Sequence, residues 1–331
     1  MKKIFFLLAL VSLIGVSRVN AQSSSAVTLH HENEVTSFSS LEAAVSAAKP
    51  NDVIVLSSGS FTLSSLNKRV TIKGAGFNYT TITSNVSVIS GTKIEGINFT
   101  GQVTGIPSSA YSLEFLKCRL LSFDTEAGNA GGAVYFFNTE IGGDNPRIIC
   151  RPNVRISCIN SVINSPRVLS DESSFNCINC VIHFDAASSS VSGYGSVASY
   201  ASQLHNAILE NCIIRQAAVS NAADYMIPAT ASATHCVATG SIFTKLSNAD
   251  ENWVNDNKSL ALLESGSNYY WTLTSDAKAA YKGTDGTEVG IYGGYLPWST
   301  VTSVPRISKL NVATKAIDGK LNVDISVNGA E

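Results

Sequence analysis

The chain has 331 residues, of which only 15% are charged, and its 23 basic and 25 acidic side chains give a formal net charge of −2 at pH 7. This balance argues against a protein that binds polyanions through bulk charge, so no nucleic-acid partner is expected. After the N-terminal segment, no stretch is apolar for long enough to span a bilayer, so no integral membrane segment is predicted.

Residues 1–21 have the features of a secretory signal peptide. Two lysines precede an apolar run over residues 4–16, and Val19-Asn20-Ala21 forms a small-x-small cleavage site. Cleavage before Gln22 would leave 20 basic against 25 acidic residues, a net charge near −5. The first cysteine is Cys118, so no lipid anchor is predicted. We therefore expect a secreted, periplasmic or cell-surface protein.

A short amphipathic helix is predicted at the start of the mature chain. Ser39-Ser40-Leu41-Glu42 forms a Ser-x-x-Glu capping box. Apolar residues then follow at helical spacing from Leu41 to Ala48, and Pro50 ends the pattern. We expect this helix to cover the open end of the first unit of the fold, where an unpaired strand edge would invite aggregation.

The helix is followed by two buried strands that make a family resemblance visible. These are the segments DVIVLSSGSFT, residues 52–62, and VTIKG, residues 70–74. Helix, strand and turn in this order resemble the N-terminal coils of the pectin-lyase-like right-handed parallel β-helix superfamily, particularly its secreted members of Bacteroides type. The similarity runs from about Leu41 to Gly294. It implies an all-β fold, a right-handed parallel β-helix over residues 22–298.

Seven short segments in the middle of the chain share one pattern. In each, a polar or small residue, here called the anchor, is followed three positions later by an apolar residue, as in Asn160/Ile163 and Asn179/Ile182. Successive anchors are 21, 21, 22, 19, 32 and 28 residues apart. A unit of about twenty residues built from short alternating strands is typical of a solenoid. The anchors are Gly96, Lys117, Asn138, Asn160, Asn179, Asn211 and Thr239.

Four asparagines among the anchors predict a structural ladder. Equivalent residues of successive coils lie about 4.8 Å apart, and asparagine tolerates the left-handed conformation that a sharp bend requires. We expect each amide to bond to the coils above and below. The first and third residues after each anchor should point inward and the second outward. The predicted ladder consists of Asn138, Asn160, Asn179 and Asn211.

Five of the seven cysteines fall into the same columns. Cys158 and Cys177 precede their anchors by two residues, whereas Cys118, Cys180 and Cys212 follow theirs by one. This favours a buried column of free thiols, because free cysteine packs as a small apolar residue. A disulfide between neighbouring coils remains an alternative, since the coil spacing lies within disulfide range. No Cys/His spacing indicates a metal site.

Two long intervals between anchors indicate loops. The segments 186–203 and 217–234 leave the solenoid between neighbouring coils, where such folds place binding residues. Tyr194, Tyr200 and Tyr225 are therefore candidates for contact with a sugar face. Alternatively, they pack back onto the coils.

The C-terminal region loses the repeat pattern. Residues 283–294 are rich in glycine, which suits tight backbone packing at the last coil. Arg306–Thr314 and Lys320–Val327 then alternate around Asp318-Gly319, which predicts a β-hairpin. We interpret residues 299–331 as a C-terminal hairpin cap, with a secretion-signal domain as the alternative.

Beyond the core positions, the aligned repeats direct four polar side chains, His183, Asp185, Arg215 and Lys245, toward one side of the solenoid. His183 or Lys245 as a base beside Arg215 would suit β-elimination of uronic-acid polysaccharides. Hydrolysis would instead need paired carboxylates, and Asp144 and Asp185 align two coils, or about 10 Å, apart. Both aspartates are also candidates for ligand binding. The alternative for the whole set is a solvated or ion-paired outer face.

These observations predict a non-catalytic secreted protein that binds glycans or serves as a surface scaffold. A polysaccharide lyase and an adhesin-like structural protein are the alternatives. No cofactor or metal is expected, a polysaccharide is the expected partner, and a monomer is favoured.

Overall fold

The chain winds into a right-handed parallel β-helix, as its repeat predicts. The structure is a computed structural model that describes residues 26–125, 131–142, 148–164, 166–168, 173–184, 204, 206–216, 227, 229–238, 243, 246–247, 251–254, 272–304, 306–312 and 323–328. Within these residues, short strands from successive coils stack into long parallel sheets. The core lies between the sheets and is filled by the inward residue of each coil.

Sheet A forms one face of the solenoid. Its first two strands are an antiparallel hairpin that pairs with the edge of the parallel stack, a feature that the sequence did not indicate. In spatial order, sheet A contains β2 (Glu34–Phe38), β1 (Val27–His31), β3 (Val53–Leu56), β6 (Thr71–Lys73), β9 (Lys93–Glu95), β11 (Ser112–Leu116), β13 (Ala133–Phe137), β16 (Arg155–Ile159), β19 (Ser174–Ile178), β21 (Ala207–Glu210) and β23 (Ser232–Thr234).

Sheet B forms the second face, and its long strands continue into a third strip. The main path is β4 (Gly59–Phe61), β7 (Thr80–Ile82), β10 (Asn98–Ile106), β12 (Arg119–Thr125), β14 (Glu140–Ile141), β17 (Val162–Asn164), β20 (Val181–Phe184), β22 (Ile213–Gln216), β24 (Val237–Ala238) and β25 (Trp253–Val254). The ends of β10 and β12 pair with the third strip. This strip contains β5 (Ser65–Leu66), β8 (Val86–Ile89), β15 (Ile148–Cys150) and β18 (Pro166–Val168).

The coil register agrees with the sequence alignment over most of its length. Ile163 pairs with Ile182, and both side chains are fully buried. Asn160 donates its backbone N–H to the Ile178 carbonyl of the next coil at 3.0 Å. The predicted inward positions are thus confirmed, because neighbouring coils meet at equivalent residues.

The anchors lie at the corner between sheets A and B. From Gly96 to Asn211 each has a positive φ, between 47° and 67°, which confirms the predicted left-handed bend. The last anchor was wrong. Val237 pairs with Ile213, which makes His235, with φ of 52°, the counterpart of Asn211 in place of Thr239. Cys236 follows this anchor as Cys212 follows Asn211, a signal that was present in the sequence.

The predicted N-terminal helix is present as α1, Leu41–Ala47. Ser40 caps it by accepting a hydrogen bond from the Ala43 N–H at 3.1 Å. Leu41, Ala44 and Val45 are buried in the main core, so the helix closes the first end of the solenoid.

The glycine composition of the C-terminal segment predicted packing at the last coil, but the segment lies elsewhere. Residues Gly283–Ser303, here called the strap, run back along the anchor corner over several coils. A Cβ on Gly294 would lie 2.8 Å from Asn179 Oδ1, so only glycine allows this close approach. The strap bonds Asn211 through Thr284, Asn160 through Ile291 and Gly293, Asn138 through Leu296 and Ser299, Lys117 through Val301, and Glu95 through Ser303.

This path corrects the expectation that the ladder amides bond to one another. Asn160 Nδ2 donates to the Ile291 carbonyl at 2.9 Å and to the Gly293 carbonyl at 2.7 Å. Within the described part of the chain, Asn160 Oδ1 and Asn179 Nδ2 have no hydrogen-bond partner. The ladder therefore serves mainly to hold the strap.

A second apolar cluster forms where the C-terminal region covers sheet B. Its solenoid side consists of residues that the alignment directs outward, and these are nevertheless buried. The covering side includes Leu273, helix α2 (Ser275–Ala280) and Ile291. Burying about four such side chains contributes several kcal/mol, at about 1.5–3 kcal/mol each. The solenoid side of the cluster is Val162, Val181, Ile213 and Val237.

The predicted C-terminal hairpin is confirmed as β26 (Arg306–Val312) paired antiparallel with β27 (Val323–Asn328). Its role as a cap stays a prediction.

Neither helix within the described ranges has the length to cross a membrane.

All seven cysteines are free thiols buried in the structure, and Cys158 pairs in register with Cys177. Burial raises the pKa of Cys118 and of Cys150 to about 12. Because all seven thiols are buried and out of reach of a reagent in solution, we expect Ellman's reagent to react with none of them in the native protein within minutes. In guanidinium chloride all seven should react. Rapid labelling without denaturant would contradict this packing.

Candidate functional site

His183 and Arg215, two of the predicted catalytic residues, are neighbours on sheet B. They pair in register on β20 and β22, and Asn164 of β17 pairs with His183 on the other side. Both side chains are partly exposed. Desolvation lowers the pKa of the Arg215 guanidinium from its ordinary value, and the group stays protonated at neutral pH because arginine titrates so high.

The other predicted site residues cannot be placed in the same way. The alignment that put Lys245 near Arg215 depended on Thr239 as the anchor, and that register was wrong. The side chains of Asp144, Asp185, Tyr194, Tyr200, Tyr225 and Lys245 lie outside the described residues. Their predicted roles stay predictions.

A surface cavity of about 490 Å³ lies at the start of four sheet A strands, on the face away from the core. Ser112, Ala133, Arg155 and Ser174 form one column here, because β11, β13, β16 and β19 pair in register. The methyl group of Ala133 leaves space between its two larger neighbours. Tyr135 lines the cavity from the next outward position of β13. We call this cavity the sheet A pocket.

The wall of the sheet A pocket is a tight turn that carries Tyr111. Ser108 and Tyr111 form an antiparallel bridge across this turn. The Arg69 guanidinium lies 4.5 Å from the Tyr111 ring centroid, a cation–π contact that holds the half-exposed ring in place. Gly132 lets the next coil come close, because a Cβ there would lie 2.7 Å from Pro107 Cβ.

Glu114 lies next to the sheet A pocket and holds the Ser112 hydroxyl that faces it. Its Oε1 accepts a hydrogen bond from Ser112 Oγ at 2.9 Å, and its Oε2 lies 3.0 Å from Lys93 Nζ. Glu114 pairs in register with Lys93 on one side and with Tyr135 on the other. The carboxylate thus connects a surface lysine to a hydroxyl that faces the cavity.

Arg155 gives the sheet A pocket an accessible positive charge. Arg119 and Arg151 each form an ion pair, with Glu140 at 2.9 Å and with Asp124 at 2.8 Å. Arg155 is exposed, and within the described ranges no carboxylate lies in salt-bridge distance of it. Its guanidinium is therefore available to a ligand, as a fork of N–H donors that suits an anion or a polar oxygen.

The sheet A pocket presents groups that can contact a polar ligand. It combines two tyrosine rings, several serine hydroxyls and one guanidinium. No histidine, aspartate or glutamate is among its lining residues, and the nearest carboxylate described above, Glu114, contacts the cavity only through Ser112. Across the described chain, no cluster of His, Cys, Asp or Glu side chains has the arrangement to hold a metal ion.

The sequence contained part of this site. Ser112, Ala133 and Arg155 each lie five residues before an anchor, so extending the alignment backwards would have placed them in one column. The turn that carries Tyr111 lies between repeats. Its position against the column depends on contacts that the repeat pattern does not encode.

Comparison of the chain with protein-family models, with curated proteins and with solved structures found no match to any of them.

Proposed function

We propose that the protein binds saccharides without cleaving them and that the sheet A pocket is the binding site. The observation that carries the proposal is the combination of Tyr111, Tyr135 and serine hydroxyls around one cavity with Arg155, which has no ion-pair partner among the described residues.

Sugars match this set of groups. A pyranose ring has apolar C–H faces that pack on aromatic rings, and its hydroxyls exchange hydrogen bonds with serine hydroxyls. The Arg155 guanidinium favours a sugar that carries a carboxylate or a sulfate, because charge-assisted hydrogen bonds are stronger than neutral ones. The cavity of about 490 Å³ is within the usual range of small-ligand sites.

Alanine substitutions at the sheet A pocket should weaken glycan retention. We expect Arg155→Ala to raise the Kd for an acidic oligosaccharide at least tenfold, since hydrogen bonds to charged groups contribute about 1.5–3 kcal/mol. Tyr111→Ala should raise it about threefold to tenfold through the lost ring contact. Affinity electrophoresis with acidic and neutral polysaccharides, followed by titration calorimetry with oligosaccharides, measures both effects.

Tyr295→Ala is the matched control, because this tyrosine is 77% exposed on the strap and outside the pocket. Equal retardation of wild type and Arg155→Ala would locate the glycan elsewhere. A loss with Tyr194→Ala alone would favour the loop predicted from the sequence.

The register of His183 with Arg215 favours a second candidate function, β-elimination of uronic-acid polysaccharides. Here His183 would remove the proton and Arg215 would neutralise the uronate carboxylate. The same polysaccharide panel, followed by the absorbance of unsaturated products, tests it. Turnover that Arg215→Ala abolishes would establish the lyase and overturn the proposal of binding alone.

A further inference from the structure

The hydrogen bonds around the sheet A pocket have a defined direction. An ionised carboxylate can only accept hydrogen bonds, and the other oxygen of Glu114, Oε2, forms an ion pair with Lys93 Nζ at 3.0 Å. In the 2.9 Å bond between Ser112 Oγ and Glu114 Oε1, Ser112 is therefore the donor. The single hydroxyl proton of Ser112 is used in the bond to Glu114, so Ser112 can act only as a hydrogen-bond acceptor toward a ligand.

The opposite side of the cavity offers hydrogen-bond donors in place of acceptors. Arg155 has N–H donors and no acceptor. Ser112 and Arg155 both pair in register with Ala133, from opposite sides, so two strand spacings, about 10 Å, separate their backbones. One sugar residue can lie between these side chains, above the small Ala133.

We propose that Glu114 is a positioning residue that sets the specificity of the sheet A pocket by holding Ser112 as an acceptor. The pocket then selects a sugar that turns a hydroxyl donor toward Ser112 and a carboxylate, sulfate or other acceptor oxygen toward Arg155. A sugar with an acceptor only at the Ser112 side meets two opposed lone pairs and binds weakly. This inference rests on the proposed saccharide binding.

Sugars that differ by one proton donor test the inference. The probes are methyl glucuronide and methyl galacturonide, each with its set of monodeoxyfluoro derivatives, in which fluorine keeps the size of a hydroxyl group and removes its proton. For wild type, one fluoro position should raise the Kd about tenfold relative to the parent glycoside. In Glu114→Ala, the Ser112 hydroxyl can rotate and donate, and the same ratio should fall to about twofold.

Two further variants make the result specific. Lys93→Met removes the ion pair but keeps the Ser112–Glu114 bond, so it should keep the wild-type ratio. Ser112→Ala removes the acceptor, so it should raise the Kd of the parent glycoside to about that of the fluoro derivative. This variant also tests the inference if Glu114→Ala does not fold.

The outcomes separate the two proposals. If Glu114→Ala weakens parent and fluoro sugars by the same factor, Glu114 has a structural role only and the inference is wrong, while saccharide binding stands. An unchanged ratio in Ser112→Ala would likewise overturn the inference. If wild type binds neither these glycosides nor any polysaccharide of the panel, the proposed function itself fails. The glucuronide and galacturonide arms, compared with neutral methyl glucoside and sulfated glucoside, show which acceptor Arg155 takes.

Discussion

Val181→Asp should unfold the protein or lower its free energy of unfolding by about 3–5 kcal/mol, the cost of an unpaired buried charge. Val181 faces outward from sheet B, yet it is fully buried in the second apolar cluster. The new carboxylate would lie beside Val162 of β17 and Ile213 of β22, which pair in register with Val181 on either side. Urea unfolding followed by circular dichroism measures the loss.

Leu121→Asp is the matched control for this substitution. Leu121 also points outward from a sheet B strand, but it is 41% exposed. The same change in chemistry should shift the free energy of unfolding by no more than about 0.5 kcal/mol. Similar losses for both variants would mean that the C-terminal region does not cover Val181 in solution.

Asn160→Ala should lower the free energy of unfolding by about 2–4 kcal/mol, from two separate causes. Alanine is disfavoured at the φ of 47° that this anchor adopts. It also removes the two hydrogen bonds to the Ile291 and Gly293 carbonyls, which lose their donor in a buried place. Chemical unfolding, combined with limited proteolysis to report release of the strap, measures the effect.

Two variants separate the causes. Asn51 also has a positive φ, of 74°, but its side chain is exposed, so Asn51→Ala should cost only the conformational part, about 1 kcal/mol. Asn160→Gly relieves the conformation and loses only the hydrogen bonds. If Asn160→Ala and Asn51→Ala lose the same free energy, the bonds to the strap contribute nothing measurable.

The local pattern of the sequence was sufficient for the coil itself. A polar anchor, alternating inward residues and a period of about twenty residues determine which residues of neighbouring coils meet, and the pairing of Ile163 with Ile182 follows directly. The pattern failed at the last coil, where the Thr239 anchor was chosen by the apolar residue three positions on. The Cys236 column, which carries the same register as Cys212, was the better guide.

The strap shows what a local pattern cannot contain. The bond from Asn160 to Ile291 spans 131 residues, and the glycine-rich segment by itself does not indicate which residues it contacts. One sequence signal did indicate a contact: the outward column changes from the charged Arg119 and Glu140 to the apolar Val162 and Val181. Apolar residues on an outer face indicate a covering element, although they do not say which segment supplies it.

The sequence by itself determined that this protein is a parallel β-helix, because short strands with alternating inward and outward residues recur about every twenty residues through the middle of the chain. Only the tertiary structure decided where a ligand could bind. The sheet A pocket exists because Ala133 lies between Ser112 and Arg155 and because the turn of Tyr111 forms a wall beside them. Such a cavity depends on the shapes of residues from different coils meeting in space, and shape complementarity of this kind has no period along the chain.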